Sequence, residues 1–290
     1  MMAKIHSIFR PGIFKDKVAI VTGGATGIGK AITYELLHLG CKVVIASRKE
    51  DRLLQAVSEM QNVFKENPLA ISSITCNIRK ENEVHNLVKE TLKKHGKIDF
   101  LVNNGGGQFL SPAANITSKG WDAVIETNLK GPFLVSKEVY DKWMKDNGGS
   151  IVNILMSFER GVPMMAHSGA ARSGLDNLTK SLAIEWASDG IRVNSVAPGS
   201  SIYSETAASN YPINVFEMVA ENLPTRRLGT PEEISSAVCF LLSPGSSFIS
   251  GETIYVDGGG RFYSPLMWKV PDHNKLPAFI NETDDIKSKL

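Results

Sequence analysis

The sequence predicts an α/β fold, a single domain built on a doubly wound parallel sheet of seven strands. Two observations predict it. Short apolar runs alternate with segments of helical periodicity along most of the 290 residues, and several of these runs end directly in glycine-rich turns. This alternation is typical of parallel strands joined by crossover helices that cover both faces of a sheet. No linker or internal repeat divides the sequence, so we expect one domain rather than two.

The first strand–turn–helix unit, residues 18–40, sets the pattern. Residues 18–21 form an apolar, β-branched run that has the length of a buried strand. Apolar side chains then recur at helical spacing, and Gly40 is a typical helix stop. The glycine-rich turn between strand and helix leaves backbone N–H groups and the positive helix end open to a phosphate. We therefore predict that this turn binds the pyrophosphate of a cofactor through Gly23, Thr26, Gly27, Ile28 and Gly29.

The same turn has two other interpretations. Residues 24–30 also fit the phosphate loop of nucleoside triphosphatases, which needs a Ser or Thr after its Lys to hold magnesium. Ala31 stands at that place and disfavours this alternative. The other alternative is a tight turn that binds no ligand, and the motifs further along the sequence argue against it.

The remaining elements follow in the same alternation. Strands are predicted at 42–46, 71–76, 98–102, 150–155, 191–197 and 251–256. Helices are predicted at 50–66, 81–95, 117–145, 169–188 and 230–242, the last beginning with a capping box at Thr230 and Glu233. We expect an N-terminal arm at 1–16, one nucleotide-binding domain at 17–262 with a lid at 200–228, and a C-terminal tail at 263–290.

The ends of the predicted strands carry the other cofactor candidates, because ligands bind outside the carboxyl ends of strands in an open parallel sheet. The second strand ends in Ser47 and Arg48 without a carboxylate, which favours the 2′-phosphate of NADP(H) over the 2′-hydroxyl of NAD. A solvated arginine at a helix start is the alternative. Further contacts are predicted after the third, fourth and sixth strands, at Asn77, Ile78, Asn104, Gly105, Gly106, Pro198 and Gly199.

Composition and charge exclude several classes of protein. Lys and Arg number 32 against 30 Asp and Glu, which indicates neither nucleic acid nor an anionic membrane as a partner. No apolar run reaches about 18 residues, so no membrane span is predicted. The three cysteines are set in apolar surroundings and are expected to be free, buried thiols in a reducing compartment, and no metal site is predicted. The last three residues, Ser288-Lys289-Leu290, match the signal read by the peroxisomal import receptor and predict a peroxisomal location.

Six short motifs, in order along residues 16–260, resemble the short-chain dehydrogenase/reductase family. They are Thr22-Gly-Gly-Ala-Thr-Gly-Ile-Gly29, Asn103-Asn-Gly-Gly106, Asn128, Ile151-Val-Asn-Ile154, Asn194-Ser-Val-Ala-Pro-Gly199 and Val256-Asp-Gly-Gly259. The resemblance implies a Rossmann-type single domain that uses NAD or NADP and assembles as a homo-oligomer, for which we expect a tetramer.

The sequence departs from that family at the catalytic positions. The family has a Ser after the fifth strand and then Tyr-x3-Lys, in which the Tyr exchanges the proton and the Lys holds the nicotinamide ribose. Here Leu155, Ser168 and Arg172 fall at the Ser, Tyr and Lys positions, and no tyrosine lies between residues 140 and 203. A second alignment places Asp176 and Lys180 at the Tyr and Lys positions, although an ion pair one helical turn apart explains those two residues more simply.

A subgroup of the family that reduces 2,4-dienoyl-CoA or trans-2-enoyl-CoA also lacks the usual Tyr. Residues 103–112 and 167–172 are similar to that subgroup, most of all to its peroxisomal trans-2-enoyl-CoA reductases. The resemblance implies NADPH-dependent reduction of the 2,3 double bond of a trans-2-enoyl-CoA thioester. Reduction of 2,4-dienoyl-CoA and non-catalytic binding of NADP are the alternatives, and carbonyl reduction is disfavoured by the missing Tyr.

Four residues are candidates for this chemistry. Ser168 would donate to the thioester oxygen, on which an enolate develops, and Arg172 would hold the ribose and add positive charge. Asn128 would anchor a water that relays the proton, and Ser157 supplies a further hydroxyl. The alternative for Ser168 is the N-cap of a helix that begins at Gly169. For the rest of the substrate, the candidates are Arg160, Arg226 and Arg227 for the phosphates of coenzyme A and Met156, Met164 and Met165 for the acyl pocket, with surface arginines and core methionines as the alternatives.

Overall fold

A computed structural model of the chain describes residues 7–157, 160–203, 219–266 and 268–278. Its centre is one sheet of seven strands in the order β3-β2-β1-β4-β5-β6-β7, which confirms the predicted fold class. The strands are β1 (Val18–Thr22), β2 (Lys42–Ser47), β3 (Ile71–Thr75), β4 (Phe100–Asn103), β5 (Gly149–Ile154), β6 (Ile191–Pro198) and β7 (Thr253–Val256). Neighbouring strands are parallel throughout, so their carboxyl ends share one edge of the sheet.

Helices cover both faces of this sheet and hold a separate apolar core on each. They are α1 (Gly27–His38), α2 (Glu50–Val63), α3 (Glu81–His95), α4 (Ser118–Ile125), α5 (Gly131–Val139), α6 (Lys145–Asn147), α7 (Ala166–Glu185) and α8 (Pro231–Leu242). Helices α1, α2 and α8 contribute to one core and α3, α5 and α7 to the other. Along β1, Ala19 and Val21 face the first core and Ile20 the second, because side chains alternate along a strand.

The predicted helix at 117–145 is a continuous helical run with two widened turns. These π-helical turns lie at Glu126–Lys130, between α4 and α5, and at Tyr140–Met144, between α5 and α6. Pro132 follows the first of them. A widened turn before a proline relieves the clash of its ring with the carbonyl four residues earlier.

Helix α7 begins at Ala166, three residues before the predicted start. Its first turn carries His167 and Ser168, both polar and fully buried. The apolar periodicity from which the helix was predicted therefore starts one turn late.

The chain between β6 and α8 leaves the carboxyl edge of the sheet and returns to it at the same point. Ile202 and Gly229 form a parallel bridge, and the Gly229 N–H donates to the Ser201 carbonyl at 3.0 Å. Residues 204–218 of the predicted lid lie outside the described residues, as does the C-terminal Ser288-Lys289-Leu290.

The three cysteines are free and buried, as predicted. Burial raises the pKa of the Cys76 thiol to about 12, so at neutral pH it is protonated and a poor nucleophile. No helix in the described parts of the chain is long and apolar enough to cross a membrane. Within the same residues, no cluster of His, Cys, Asp and Glu could hold a metal ion.

Candidate active site

The strand order reverses between β1 and β4, and this reversal opens a crevice at the carboxyl edge of the sheet. The glycine turn after β1 and the loop after β4 form its two sides. Asn104 joins them, since its Nδ2 donates to the carbonyls of Thr22 and Gly23, both at 3.1 Å. The Thr22 hydroxyl in turn accepts from the N–H of Gly105 at 2.8 Å. Two motifs whose bonded residues are 81 to 83 positions apart in sequence thus meet where parallel sheets bind dinucleotides.

The β1–α1 turn has the shape that a pyrophosphate requires. Gly23 and Gly27 have φ angles of +66° and +52°, a region that favours glycine. A Cβ on Gly29 would lie 2.2 Å from the Gly23 carbonyl oxygen, so a side chain there would push the helix away from the strand. Thr26 makes no side-chain cap, and the first amides of α1 have no partner inside the helix. These open N–H groups fit the pyrophosphate of a nicotinamide dinucleotide.

The candidates for the adenosine side lie at the carboxyl ends of β2 and β3, next to that turn. Ser47 ends β2, and the exposed side chain of Arg48 makes no hydrogen bond or ion pair with any described residue. Asn77 follows β3, and its side chain accepts from the Arg79 N–H at 3.2 Å. Ile78 is buried beside it. Arg48 is therefore free to meet a phosphate.

Asn128 fixes the glycine loop that follows β4. It is fully buried on the first π-helical turn, where widened helical geometry is common at functional sites. Its Oδ1 accepts from the Gly107 N–H at 3.0 Å and its Nδ2 donates to the Gly107 carbonyl at 2.7 Å. The side chain thus holds the loop directly, and the water relay assigned to it stays a prediction.

Arg172 lies one turn after Ser168 on α7 and is 7% exposed. Its Nη1 donates to the Ile154 carbonyl at the end of β5, at 2.5 Å, and its Nε is buried without a partner among the described residues. Burial lowers the pKa of the guanidinium to about 10, so it remains cationic at neutral pH. No described carboxylate pairs with it. A buried cation with an unused donor, packed close to Gly106, fits an oxygen-rich group such as a ribose.

Ser168 is fully buried on the first turn of α7. The helix already begins at Ala166, so the alternative that Ser168 is its N-cap was wrong. The Ser168 hydroxyl donates to Oε1 of Gln108 at 2.7 Å and lies 3.5 Å from Sδ of Met156. A hydroxyl and an amide therefore stand side by side, and either can present a donor to a ligand oxygen.

His167 connects the start of α7 to the exposed loop after β4. Its Nδ1 accepts from the Ser168 N–H at 2.8 Å, so the neutral ring carries its proton on Nε2. The ring of Phe109 stands edge-on to it, with centroids 4.4 Å apart. Sequence analysis missed both Gln108 and His167. Their positions, directly after a glycine run and directly before Ser168, were the available signals.

The other predicted residues border the same crevice. Leu155, at the family's Ser position, is buried and carries no polar group. The Ser157 N–H donates to the Pro198 carbonyl at 3.0 Å, and its hydroxyl has no hydrogen bond to the described residues. Gly199 lies against Asp257, whose Cβ would be 2.8 Å from a side chain added there. The residues that follow β5 and β6 thus lie beside α7.

Three apolar side chains near Ser168 reach solvent. Phe109, Leu110 and Met164 are 43%, 41% and 45% exposed. The Ser111 N–H donates to the Met164 carbonyl at 2.8 Å, which holds the two loops together. An apolar rim therefore adjoins the polar pair, and Met156 and Met165 are half-buried behind it.

The arginines predicted to meet coenzyme A are engaged elsewhere. Arg160, Arg226 and Arg227 each donate to a backbone carbonyl of the C-terminal tail. Arg227 also pairs with Glu233 at 2.6 Å, and the Arg226 side chain is only 7% exposed. Arg226 is therefore not an open phosphate ligand, because burial and the tail occupy its guanidinium.

The second alignment of the catalytic positions fails on geometry. Lys180 and Asp176 form an ion pair at 2.5 Å with Lys180 exposed, and Asp176 also accepts from the Thr253 hydroxyl at 2.6 Å. The surface ion pair is confirmed, and the two residues lie outside the crevice.

Comparison with known proteins decides the family. A family model described as Enoyl-(Acyl carrier protein) reductase matches residues 23–261. The chain belongs to the short-chain dehydrogenase/reductase family. Among relatives of this chain, the peroxisomal 2,4-dienoyl-CoA reductase of Danio rerio, described as (3E)-enoyl-CoA-producing, is 37% identical over 89% of this chain and 86% of its own. The probable 2,4-dienoyl-CoA reductase of Bacillus subtilis, described as (2E)-enoyl-CoA-producing, is 34% identical over 84% of this chain and 96% of its own.

Solved structures agree with that assignment. A citronellol catabolism dehydrogenase of Pseudomonas aeruginosa is 44% identical, with a TM-score of 0.78, and the match covers 88% of this chain and 99% of its own. Membership implies a nicotinamide cofactor, and the crevice at the β1–β4 reversal has the residues to hold it.

Proposed function

We propose that this protein reduces the 2,3 double bond of trans-2-enoyl-CoA thioesters with NADPH. The observation that carries the proposal is the pair Ser168 and Arg172, a hydroxyl and a buried guanidinium where the family's usual motif has a tyrosine and a lysine. A ketone needs an acid at its oxygen when hydride arrives, and a phenol supplies it. A conjugated thioester needs only hydrogen-bond donors there, because the charge forms as an enolate.

The residues divide the work as follows. Bound NADPH supplies a hydride to C3 of the substrate. The Ser168 hydroxyl, which donates to Oε1 of Gln108 at 2.7 Å, would turn to donate to the thioester oxygen as negative charge forms on it, and Nε2 of Gln108 is a second donor beside it. Arg172 holds the ribose and adds positive potential. The proton for C2 comes from water, for which Asn128 and the Ser157 hydroxyl are the proposed anchors.

The apolar rim suits the acyl chain of such a substrate. Phe109, Leu110 and Met164 lie beside the donors and are partly exposed. Methionine and aromatic side chains adapt to flexible apolar ligands. An acyl chain entering over this rim would bring its thioester to Ser168.

Arg48 supports NADPH rather than NADH. Arg48 directly follows β2, and its exposed guanidinium has no partner among the described residues. A 2′-phosphate would pair with it, whereas the 2′-hydroxyl of NAD is held by carboxylates in this architecture.

We also propose a peroxisomal location and a homotetramer. The final Ser288-Lys289-Leu290 would bind the import receptor, and the relatives from Danio rerio, Rattus norvegicus and Saccharomyces cerevisiae are described as peroxisomal. Reduction of enoyl-CoA would place the protein in fatty acid metabolism.

Reduction of 2,4-dienoyl-CoA is the second candidate, favoured by the names of those relatives. A 3E-enoyl product requires hydride at C5 and a proton at C2, so the negative charge is still delocalised onto the thioester oxygen. The same donors would serve, and the two reactions differ in how far the hydride acceptor lies from that oxygen.

Absorbance of NADPH on mixing with trans-2-enoyl-CoA, and separately with 2,4-dienoyl-CoA, tests the proposal. Oxidation with the monoenoyl substrate and a product heavier by two hydrogens support it. Oxidation only with the dienoyl substrate would favour the second candidate. If neither substrate causes oxidation of NADPH while NADPH still binds, the protein would be a non-catalytic NADP-binding protein.

A further inference from the structure

The described part of the C-terminal tail, residues 263–266 and 268–278, is held to the body of the protein by side chains of two segments, residues 226–227 and the loop between β5 and α7. Arg226 donates to the Val270 carbonyl, and Arg227 donates to the Leu276 carbonyl at 2.6 Å. His273 of the tail contacts the Pro224 carbonyl at 2.8 Å. These bonds place the tail along residues 219–228, which we call the returning limb because it leads back to the sheet at Gly229.

A second attachment ties the tail to the loop that precedes Ser168. Arg160, in the loop between β5 and α7, donates to the Tyr263 carbonyl at 2.9 Å. The Tyr263 hydroxyl accepts from the Val270 N–H at 3.0 Å and so closes the tail on itself. The tail therefore bridges the returning limb and the entry to α7.

Both attachment points lie on one flank of the crevice. The returning limb packs at the end of β7, where the side chain of Thr225 would lie 2.9 Å from a Cβ on Gly258. The candidates for the pyrophosphate and the adenosine ribose lie on the opposite flank, at β1 and β2. Because the cofactor candidates occupy that opposite flank, the flank that the tail contacts is the one available to the substrate.

Arg226 is the centre of this arrangement. Its backbone has a φ of +55°, a left-handed conformation that is unfavourable for a residue other than glycine. Its guanidinium also donates to the Glu221 carbonyl, so one side chain joins the limb and the tail. Such a conformation persists when surrounding contacts determine it, and here those contacts come from both the limb, at the Glu221 and Leu223 carbonyls, and the tail, at the Val270 carbonyl.

We propose that the C-terminal tail, acting through Arg226, positions the returning limb for binding of the acyl-CoA substrate and has no part in binding the cofactor. Arg226 is thus a positioning residue that does not touch the substrate. The inference rests on the proposed function for the identity of the ligand.

The test uses full-length Arg226→Met, with Arg226→Lys as the conservative variant and Arg52→Met, an exposed arginine of α2, as the control. Calorimetry with the NADP-loaded protein and saturated decanoyl-CoA measures substrate-side affinity without turnover. We expect Arg226→Met to weaken it by about tenfold, as loss of a charged hydrogen bond does, with Arg226→Lys between it and the wild type. NADPH affinity should stay unchanged, and hydrogen exchange should quicken together in the returning limb and the tail.

Two results would overturn the inference. If Arg226→Met exchanges faster but binds decanoyl-CoA as tightly as the wild type, the tail has only a structural role. If the variant loses affinity for decanoyl-CoA and NADPH in parallel, the substitution has destabilised the whole protein. A wild-type protein that binds decanoyl-CoA but oxidises no NADPH with either unsaturated substrate would overturn the proposed function alone. A wild-type protein that does not bind decanoyl-CoA would overturn both.

Discussion

At the scale of the residue, the proposed chemistry depends on one hydroxyl. Ser168→Ala removes the donor that lies 2.7 Å from Gln108. We expect kcat with enoyl-CoA to fall by about a hundredfold, the cost of one oxyanion donor, with the Kd of NADPH unchanged. Ser181→Ala, which removes a hydroxyl that donates to the Asn177 carbonyl on the same helix, should have no effect. Steady-state NADPH oxidation and a fluorescence titration measure both, and unaltered turnover would remove Ser168 from the mechanism.

The proposed preference for NADPH depends on another residue, Arg48. Arg48→Asp replaces the proposed phosphate partner with a ribose-binding carboxylate. We expect kcat/KM for NADPH to fall by about tenfold or more, since a charge-assisted bond is lost, and the value for NADH to rise. Arg52→Asp makes the same charge change in the first turn of α2 and should leave the NADPH-to-NADH ratio as it is. Equal effects of the two variants would show that Arg48 acts only through the general positive charge of the surface and does not contact the 2′-phosphate.

At the scale of the element, the loop after β4 must pass close to α7 and to the π-helical turn. A Cβ on Gly106 would lie 2.4 Å from Nη2 of Arg172 and 2.9 Å from Oδ1 of Asn128, whereas one on Gly107 would meet no atom within 4 Å. We expect Gly106→Ala to cost about 1–3 kcal/mol through overpacking and to weaken NADPH binding. Gly107→Ala is the matched control and should bind NADPH normally. Similar affinities for the two variants, measured by calorimetry, would contradict this packing.

The helices and strands also differ in how well their positions could be predicted from the sequence. The strands and α3 could be placed because apolar runs and helical periodicity are local, and the strand ends then located Asn104, Gly106 and Arg48 on one edge. The start of α7 could not be placed from the sequence, because its first turn buries polar residues, of which Ser168 has its hydrogen-bond partner far away along the chain. Gln108 was missed for a related reason: it meets Ser168 across 60 residues, and only the folded chain brings them together.

At the scale of the whole molecule, a buried carboxylate joins the first and last helices. Glu35 of α1 is 4% exposed and accepts from the Ser235 hydroxyl of α8, 200 residues later, and from the Ser7 hydroxyl of the N-terminal arm at 3.0 Å. No described cation pairs with it. Burial raises its pKa, and the two hydroxyls offset only part of that effect. The two hydrogen bonds are stronger to the ionised carboxylate, but its burial outweighs them, so folding favours the protonated carboxyl on balance.

The pH dependence of stability follows from that shift. As pH rises through the ordinary value of 4.5, the unfolded chain loses its Glu35 proton while the folded protein keeps it, so stability falls until pH passes the raised folded pKa. We expect Glu35→Gln to remove this fall, so its Tm relative to wild type should rise across the same interval. Glu59 should give a pH dependence of the opposite sign, because the hydrogen bond from Lys30 lowers its pKa in the folded protein. Its ionisation therefore adds stability as pH rises, and the Tm of Glu59→Gln should fall relative to wild type over that interval. Thermal unfolding of the three proteins over a pH series measures both slopes, and a Tm difference for Glu35→Gln that is constant with pH would show that this carboxylate does not titrate with folding.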